Sequence, residues 1–489
     1  MEAVLNFLGI TLSAVGLLSP TIDYVYIKER AKRISFYLTS ISLIMASAAL
    51  IFSISTYPNQ AILVYNGALK VDFYGIFLAL IATIGALLVV FASSSIKKWS
   101  TAPSFYSLLL LGLLGVYYLI FVNDFVLLIA AWALVAVTSY VIAGIRKDAR
   151  SVEGAVKYAI MGALASVLLL FAVANIYSLT GTTNIGEVIS SLNSTDLALT
   201  GHKNVLLLSV LLFISALGFK IGIVPFHGWL PDVYGGVHPI PVSFLAGVVK
   251  IAGVAVIIRI LFPLASLIGS MWLLIFALLS IFTMTFGNIV ALVQSNVQRM
   301  MAYSSIAHVG YILTGVTAIS SLSLTGKIFG IEFALPGIAI HLLAYSLAKV
   351  GIFVGLAFLL RSKIGTTLDD LKGIGRSMPT LSISILILLF SLMGVPPLLG
   401  FWGKFYLFTS VVSIAPWLAF IALINSGLSV GYYAQVIRYM FFMEGEKGST
   451  EKAMNPEVSV LVIAAILTIV LGILVPFFTI YLLPPYPLG

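Results

Sequence analysis

Apolar segments of about 20 residues recur from one end of this chain to the other, each long enough to cross a hydrocarbon layer of ~30 Å as a helix. A backbone crossing lipid must satisfy its own hydrogen bonds, and a helix does so within one segment. The segments fall at 3–20, 35–55, 73–93, 103–122, 125–145, 155–178, 204–229, 241–261, 270–292, 301–320, 333–359, 380–411, 415–440 and 457–483, about fourteen in all. Only 9% of the 489 residues are charged, against roughly 25% in an ordinary soluble domain. An all-α polytopic membrane protein is the expected fold class. The first segment follows Met1 and Glu2 without a basic flank or a small-residue cleavage site, so it reads as a retained span. The chain has no cysteine, which excludes cysteine-ligated clusters and CxxC redox pairs within it.

A net charge of +9 is distributed as topology. Of 26 Lys and Arg residues, eighteen stand on alternate connections: Lys28, Arg30, Lys32 and Arg33; Lys97 and Lys98; Arg146, Lys147, Arg150 and Lys157; Arg299; Arg361, Lys363, Lys372 and Arg376; Arg438, Lys447 and Lys452. Only Lys70, Lys203 and Lys327 stand on the opposite set. This positive-inside bias places the first, third and fifth connections in the cytoplasm and both termini outside. The partner it implies is a lipid bilayer, with no nucleic acid. A cell membrane of a prokaryote is the expected location.

The seventh and twelfth spans are unusually long, are interrupted by Gly and Pro ("FKIGIVPFHGW" and "LMGVPPLLGFWGKFYLF"), and each carries a lysine. Paired broken spans point to two inverted repeats with an ion path at mid-membrane. Two five-helix repeats are expected, with the broken seventh helix in the first and the broken twelfth in the second. The expected division is 1–102 for helices 1–3, 103–261 and 262–440 for the two halves, and 441–489 for the last helix.

Five cations lie inside spans: Lys220, Lys250, Arg259, Lys349 and Lys404. A lysine at the bilayer centre costs about 2.5–3.5 kcal/mol, so four together cost on the order of 10–14 kcal/mol if unrelieved. Lys220 can snorkel if its helix stops at Pro225, and Arg259, near the outer end of its span, is expected to reach the headgroups. Lys250, Lys349 and Lys404 lie near the middle of their spans. His341, Tyr345 and Lys349 follow at i, i+4 and i+8, within an arc of about 80° on one helix face. Such a row reads either as a proton relay, since histidine and a buried lysine both exchange protons, or as a helix–helix contact satisfied by neighbouring carbonyls. There is no Walker A loop, strand-borne GxGxxG, metal-spaced His pair or carboxylate pair within a span.

The stretches "FKIGIVPFHGWLPDVYGG", "PVSFLAGVVKIAGVAVIIR", "GNIVALVQSNVQRMMAYSSIAHVGYILTG" and "GVPPLLGFWGKFYLF" resemble the antiporter-like membrane subunits of respiratory complex I, Mrp-type cation/proton antiporters and membrane hydrogenases. The resemblance runs over nearly the whole chain. "PDVYGG" and the lysine of "GFWGKFYLF" are nearest the subunit N type of an NADH–quinone oxidoreductase, whereas "HLLAYSLAKVGIF" is nearer the L, M and Mrp pattern. The resemblance implies that Lys220 is a broken-helix lysine holding and releasing a proton, Lys250 a relay lysine, Lys349 a central group and Lys404 the group opening outward. It places His227 at the cytoplasmic end of the first half-channel, and it includes Glu153 and Lys157 of "SVEGAVKYAIMGALAS". The implied partners are neighbouring antiporter-like subunits, a quinone-site subunit and iron–sulfur subunits of a peripheral arm, with no cofactor in this chain.

Two positions depart from the family pattern. Ala133 in "NDFVLLIAAWALVAVTSY" stands where a glutamate normally pairs with the broken-helix lysine, and Asp124 is nine residues away, about 13 Å along a helix. Gln298 stands where a lysine is common. Three functions follow: a proton-translocating, non-redox subunit of a quinone-reducing translocase; a Na⁺/H⁺ antiporter or membrane-hydrogenase subunit; or a structural subunit that conducts nothing.

Overall fold

The computed structural model describes every residue except 26–27, 57–60, 97–100, 195–199, 265–269, 320–329, 446–454 and 479–489. The predicted loop lysines at 97, 98, 327, 447 and 452 therefore lie outside the described residues. The helices are α1 (Glu2–Val25), α2 (Lys28–Thr56), α3 (Phe73–Ser93), α4 (Ala102–Phe121), α5 (Phe125–Gly144), α6 (Ala149–Thr180), α7 (Ile185–Ser194), α8 (Thr200–Ile221) and α9 (Trp229–Gly236). They continue as α10 (Pro239–Leu264), α11 (Ser270–Leu292), α12 (Val297–Ala318), α13 (Ile331–Arg361), α14 (Ile374–Ser377), α15 (Pro379–Met393), α16 (Leu399–Val411), α17 (Pro416–Phe442) and α18 (Pro456–Phe478).

Among the described residues, twelve helices are long and apolar enough to cross a membrane. This is a multi-pass integral membrane protein. The other two of the expected fourteen segments differ for physical reasons. Helix α12 is long enough but polar, with Gln298, Arg299, Ser304, Ser305 and His308 in its sequence. The twelfth segment is divided into α15 and α16.

Local chemistry sets the helix ends. Asp72, Asp124, Asp148 and Asn296 cap α3, α5, α6 and α12, each accepting from backbone N–H groups of the first turn. The two breaks share one stop signal. Gly222 (φ +87°) and Gly394 (φ +90°) take the left-handed conformation that closes a helix. The N–H of the following residue reaches back five positions, Ile223 to Gly218 O at 2.8 Å and Val395 to Phe390 O at 3.0 Å. Prolines then prevent continuation. Helix resumes at Trp229 and Leu399, so both predicted breaks are present.

Helices α10 and α13 form the centre of the bundle, and both are almost wholly buried. Two π-turns, Leu245–Val249 and Ile257–Leu261, interrupt α10 on either side of the turn that begins at Lys250. Helix α16 presses on α13 so closely that a Cβ at Gly403 would meet the Cα of His341 at 2.7 Å. Small residues at such crossings let backbones approach where lipid offers no hydrophobic drive to association.

Three features differ from the sequence reading. Arg259 does not snorkel; it is 9% exposed and forms a two-pronged ion pair with Asp72 (2.5 and 2.7 Å), its Nε donating to Ile120 O at 2.9 Å. A partner from α3's N-cap, distant in sequence, relieves the charge that lipid headgroups were expected to relieve. The stretch between the expected sixth and seventh spans, 155–178 and 204–229, where no helix is expected, contains helix α7. Between α2 and α3 a two-stranded hairpin, β1 (Ile62–Val64) and β2 (Leu69–Val71), pairs Ile62 with Val71 and Val64 with Leu69.

Candidate functional site

All four mid-span lysines are buried: Lys220, Lys250, Lys349 and Lys404 are between 0% and 4% exposed. An ammonium group held away from water needs acceptors or π-faces in their place. Lys250 donates to the backbone carbonyl of Ser305 at 3.3 Å. Lys349 donates to Met301 O at 2.9 Å and Ser304 Oγ at 2.8 Å. The ring of Tyr345 lies between these two lysines, 5.4 Å from Lys250 Nζ and 5.7 Å from Lys349 Nζ. Lys404 donates to Met393 O, the carbonyl left free where α15 stops, and to Ser426 Oγ, both at 2.9 Å, with Nζ 4.8 Å from the Tyr311 ring centre.

The predicted face of α13 is real, but its residues are joined through other helices. Lys349 reaches Ser304 on α12, whose hydroxyl is 2.5 Å from Tyr433 Oη on α17. Tyr433 Oη is 3.1 Å from Nε2 of His308, and His308 Nδ1 is 3.0 Å from Nε2 of His341. Beside this row, Asn288 donates to Tyr311 Oη at 2.9 Å and accepts from Tyr432 at 3.2 Å, fixing two more phenols. Lys250, Tyr345, Lys349, His341 and Lys404 thus belong to one buried polar cluster, which the structure extends by Ser304, His308, Tyr311 and Tyr433. Sequence reasoning missed these four. Ser304, His308 and Tyr311 stand at i, i+4 and i+7, a one-face spacing that could have found three of them; nothing local marks Tyr433.

Two predicted residues lie apart from that cluster. Lys220 ends α8 with its Nζ 5.2 Å from the Trp132 ring centre, and among the described residues that nitrogen has no hydrogen-bond acceptor. Its stem passes close to Gly253, one turn beyond Lys250 on α10. Ala133 is exposed on α5, next to the Trp132 that covers Lys220; a carboxylate there would project outward from this chain. Asp124 is occupied as the cap of α5 and accepts from Thr183 Oγ1. His227 is half-buried in the first break, its ring 4.5 Å from that of Phe286, and among the described residues it bonds to none of the four lysines.

Near the start of α6, Lys157 donates to Asp232 of α9 (3.1 Å), which also accepts from Arg299 (3.4 Å), while Glu153 pairs with Lys157 (2.8 Å). These exposed pairs tie α9, beyond the first break, to α6 and α12. Gln298 donates to the carbonyls of Tyr234 and Val237 at 2.5 and 2.6 Å, satisfying the C-terminal end of α9. Outside the spans, His238 is held well below its ordinary value, at about 3, by burial and the nearby Arg146 charge. Among the described residues no group of His, Asp and Glu is placed to hold a metal ion.

Two interrupted spans and buried lysines within a bundle centred on α10 and α13 define an antiporter-like polytopic membrane subunit. The chain belongs to the family described as NADH:quinone oxidoreductase/Mrp antiporter, transmembrane, whose pattern matches residues 122–429. It is 33% identical over 467 residues to F(420)H(2) dehydrogenase subunit N of Methanosarcina mazei, covering 92% of this chain and 91% of that relative. To NADH-quinone oxidoreductase subunit N of Desulforamulus reducens it is 33% identical over 476 residues, covering 96% and 94%. Among solved structures, a chain of respiratory complex I from Thermus thermophilus superposes with a TM-score of 0.78 at 28% identity, covering 97% of this chain and 98% of that one.

Proposed function

We propose that this chain is a proton-translocating subunit of a redox-driven, complex I-like assembly in a prokaryotic cell membrane. Its own residues carry the protons, and partner subunits with iron–sulfur clusters and a quinone site supply the energy. The observation that carries this reading is the buried cluster in which three lysines and two histidines are linked by hydrogen bonds and ring contacts through Ser304, Tyr311, Tyr345 and Tyr433. A merely structural bundle gains nothing from several buried ammonium groups, each of which is costly in lipid.

In this reading Lys250 passes protons to Lys349 past the Tyr345 ring, Lys349 is the central group, and Lys404 delivers outward. Lys220 and His227 serve the entry side, and His341 and Tyr345 line the path. A lysine that is neutral part of the time can accept a proton and release it when a neighbouring charge changes. The shared stop signal at Gly222 and Gly394 supports two related halves, 103–261 and 262–440, and the distribution of basic loops supports both termini outside.

A Na⁺/H⁺ antiporter subunit would use the same helices without a redox arm. That Lys220 has no acceptor among the described residues, with Ala133 facing outward, favours a weaker role for the first half-channel, and a fully structural role is its limit. The test is to tag the chain, purify it with its native partners and reconstitute the assembly in sealed vesicles. Electron-driven acidification of the lumen that is independent of Na⁺ supports the proposal. Electron transfer with no ion movement refutes it, as does exchange that requires Na⁺.

A further inference from the structure

We infer that Ser304 and Tyr433 form a hydroxyl bridge that carries the proton from Lys349 to the His308–His341 pair. The inference rests on the proton-translocating reading above and adds a route and two relay residues to it. His341 and Lys349 are two helical turns apart on α13, a rise of about 12 Å, too far for direct exchange. Four hydrogen bonds span that gap through α12 and α17: Lys349 Nζ to Ser304 Oγ at 2.8 Å, Ser304 Oγ to Tyr433 Oη at 2.5 Å, Tyr433 Oη to His308 Nε2 at 3.1 Å and His308 Nδ1 to His341 Nε2 at 3.0 Å. Every member is between 0% and 2% exposed.

The chemistry of the groups permits transfer in this order. A hydroxyl both donates and accepts, and a neutral imidazole accepts on one nitrogen while donating from the other. With Ser304 donating to Tyr433, Tyr433 donating to His308 Nε2 and His308 donating from Nδ1 to His341, the lysine ammonium gives one proton to Ser304. Ser304 passes its own to Tyr433, Tyr433 passes its own to His308 Nε2, and His308 passes its Nδ1 proton to His341. Lys349 is left neutral and His341 becomes imidazolium, with one proton moved and none created. Each hydroxyl then points back toward Lys349 and His308 carries its proton on Nε2, so both hydroxyls and the histidine tautomer must reset before the next transfer.

The other contacts of these groups serve positioning. Lys349 is anchored by Met301 O at 2.9 Å, and the Tyr433 ring packs on Tyr432 with centroids 4.3 Å apart. Tyr433→Phe therefore keeps the packing and removes only the bridging oxygen, while Ser304→Thr keeps a hydroxyl that Ser304→Ala removes.

The experiment uses the intact assembly in sealed vesicles, comparing protons moved per electron with the electron-transfer rate measured in the presence of an ionophore. Tyr433→Phe and Ser304→Ala are expected to slow transfer along this chain on the order of a hundredfold, lowering protons per electron to the value of Lys349→Ala. Ser304→Thr should stay near wild type, and the ionophore-released electron rate should be retained. If Tyr433→Phe fails to assemble, the Ser304→Ala and Ser304→Thr pair decides by the same readout. Wild-type yield in Tyr433→Phe or Ser304→Ala, alongside a loss in Lys349→Ala, overturns the bridge and leaves the proton path to run elsewhere. Wild-type yield in Lys349→Ala as well overturns both the bridge and the proton-translocating reading.

Discussion

The five buried cations inside the spans, Lys220, Lys250, Arg259, Lys349 and Lys404, meet burial in different ways, and the difference predicts what each substitution does. Arg259 is paired with Asp72, so Asp72→Asn would strand a buried guanidinium and is expected to cost about 3–5 kcal/mol of stability. Burial pushes the Asp72 carboxyl up, but the Arg259 charge and hydrogen bonds outweigh it and hold the group below its ordinary 3.8. A carboxyl lowered by folding stabilises the fold above its unfolded value, and that contribution disappears as pH falls through the folded value. Melting of the detergent-solubilised protein should therefore show the wild-type advantage over Asp72→Asn undiminished from neutrality to about pH 4 and shrinking only below 3.8. An advantage that shrinks already between pH 7 and 5 would contradict the assignment. Lys220 differs again, with its Nζ over the Trp132 ring and Ala133 facing outward. Lys220→Ala should lower protons per electron only slightly, less than Lys349→Ala does; an equal loss would show that the first half conducts without the usual carboxylate.

At the scale of elements, the glycines that stop α8 and α15 place a lysine beside each break. Lys404 uses the carbonyl freed at Met393, while the corresponding freed end of α8 is taken by Trp229, whose indole donates to Phe219 O at 2.9 Å. The contact between α16 and α13 is tight enough to test: Gly403→Ala would press a methyl on the His341 backbone and is expected to cost about 1–3 kcal/mol. A melting temperature unchanged from wild type would mean that the helices separate freely there. The breaks were legible in the sequence because Gly and Pro act on their own backbone. So were the lysines, whose burial cost in lipid is independent of their neighbours. The Arg259–Asp72 pair was not, because its two groups are 187 positions apart. Tyr433 was hidden for the same reason, being 125 positions from His308. Helix α7 was obscured by a polar sequence, and the β1–β2 hairpin by shortness, although its "YNG" turn, with Tyr65 and Asn66 at positive φ, carries the Asn-Gly signal of a tight hairpin.

For the whole molecule, orientation and conduction are the two claims that matter. The basic loops predict that the connections around Arg30, Arg146 and Arg361 face the cytoplasm. Because the chain has no cysteine of its own, single cysteines placed at Ser362 and near the start of α6 should react with an impermeant thiol reagent only after cells are opened; reaction in intact cells would reverse the topology. The conduction claim is most directly tested by the number of protons moved per electron in sealed vesicles, comparing wild type with Lys250→Ala and Lys404→Ala at equal electron-transfer rate. Both lysines belong to the one buried cluster, so the account predicts that each substitution lowers the ratio, to the same value and by the whole contribution of this chain. Ratios equal to wild type in both variants would contradict it and leave the chain a structural member of its assembly.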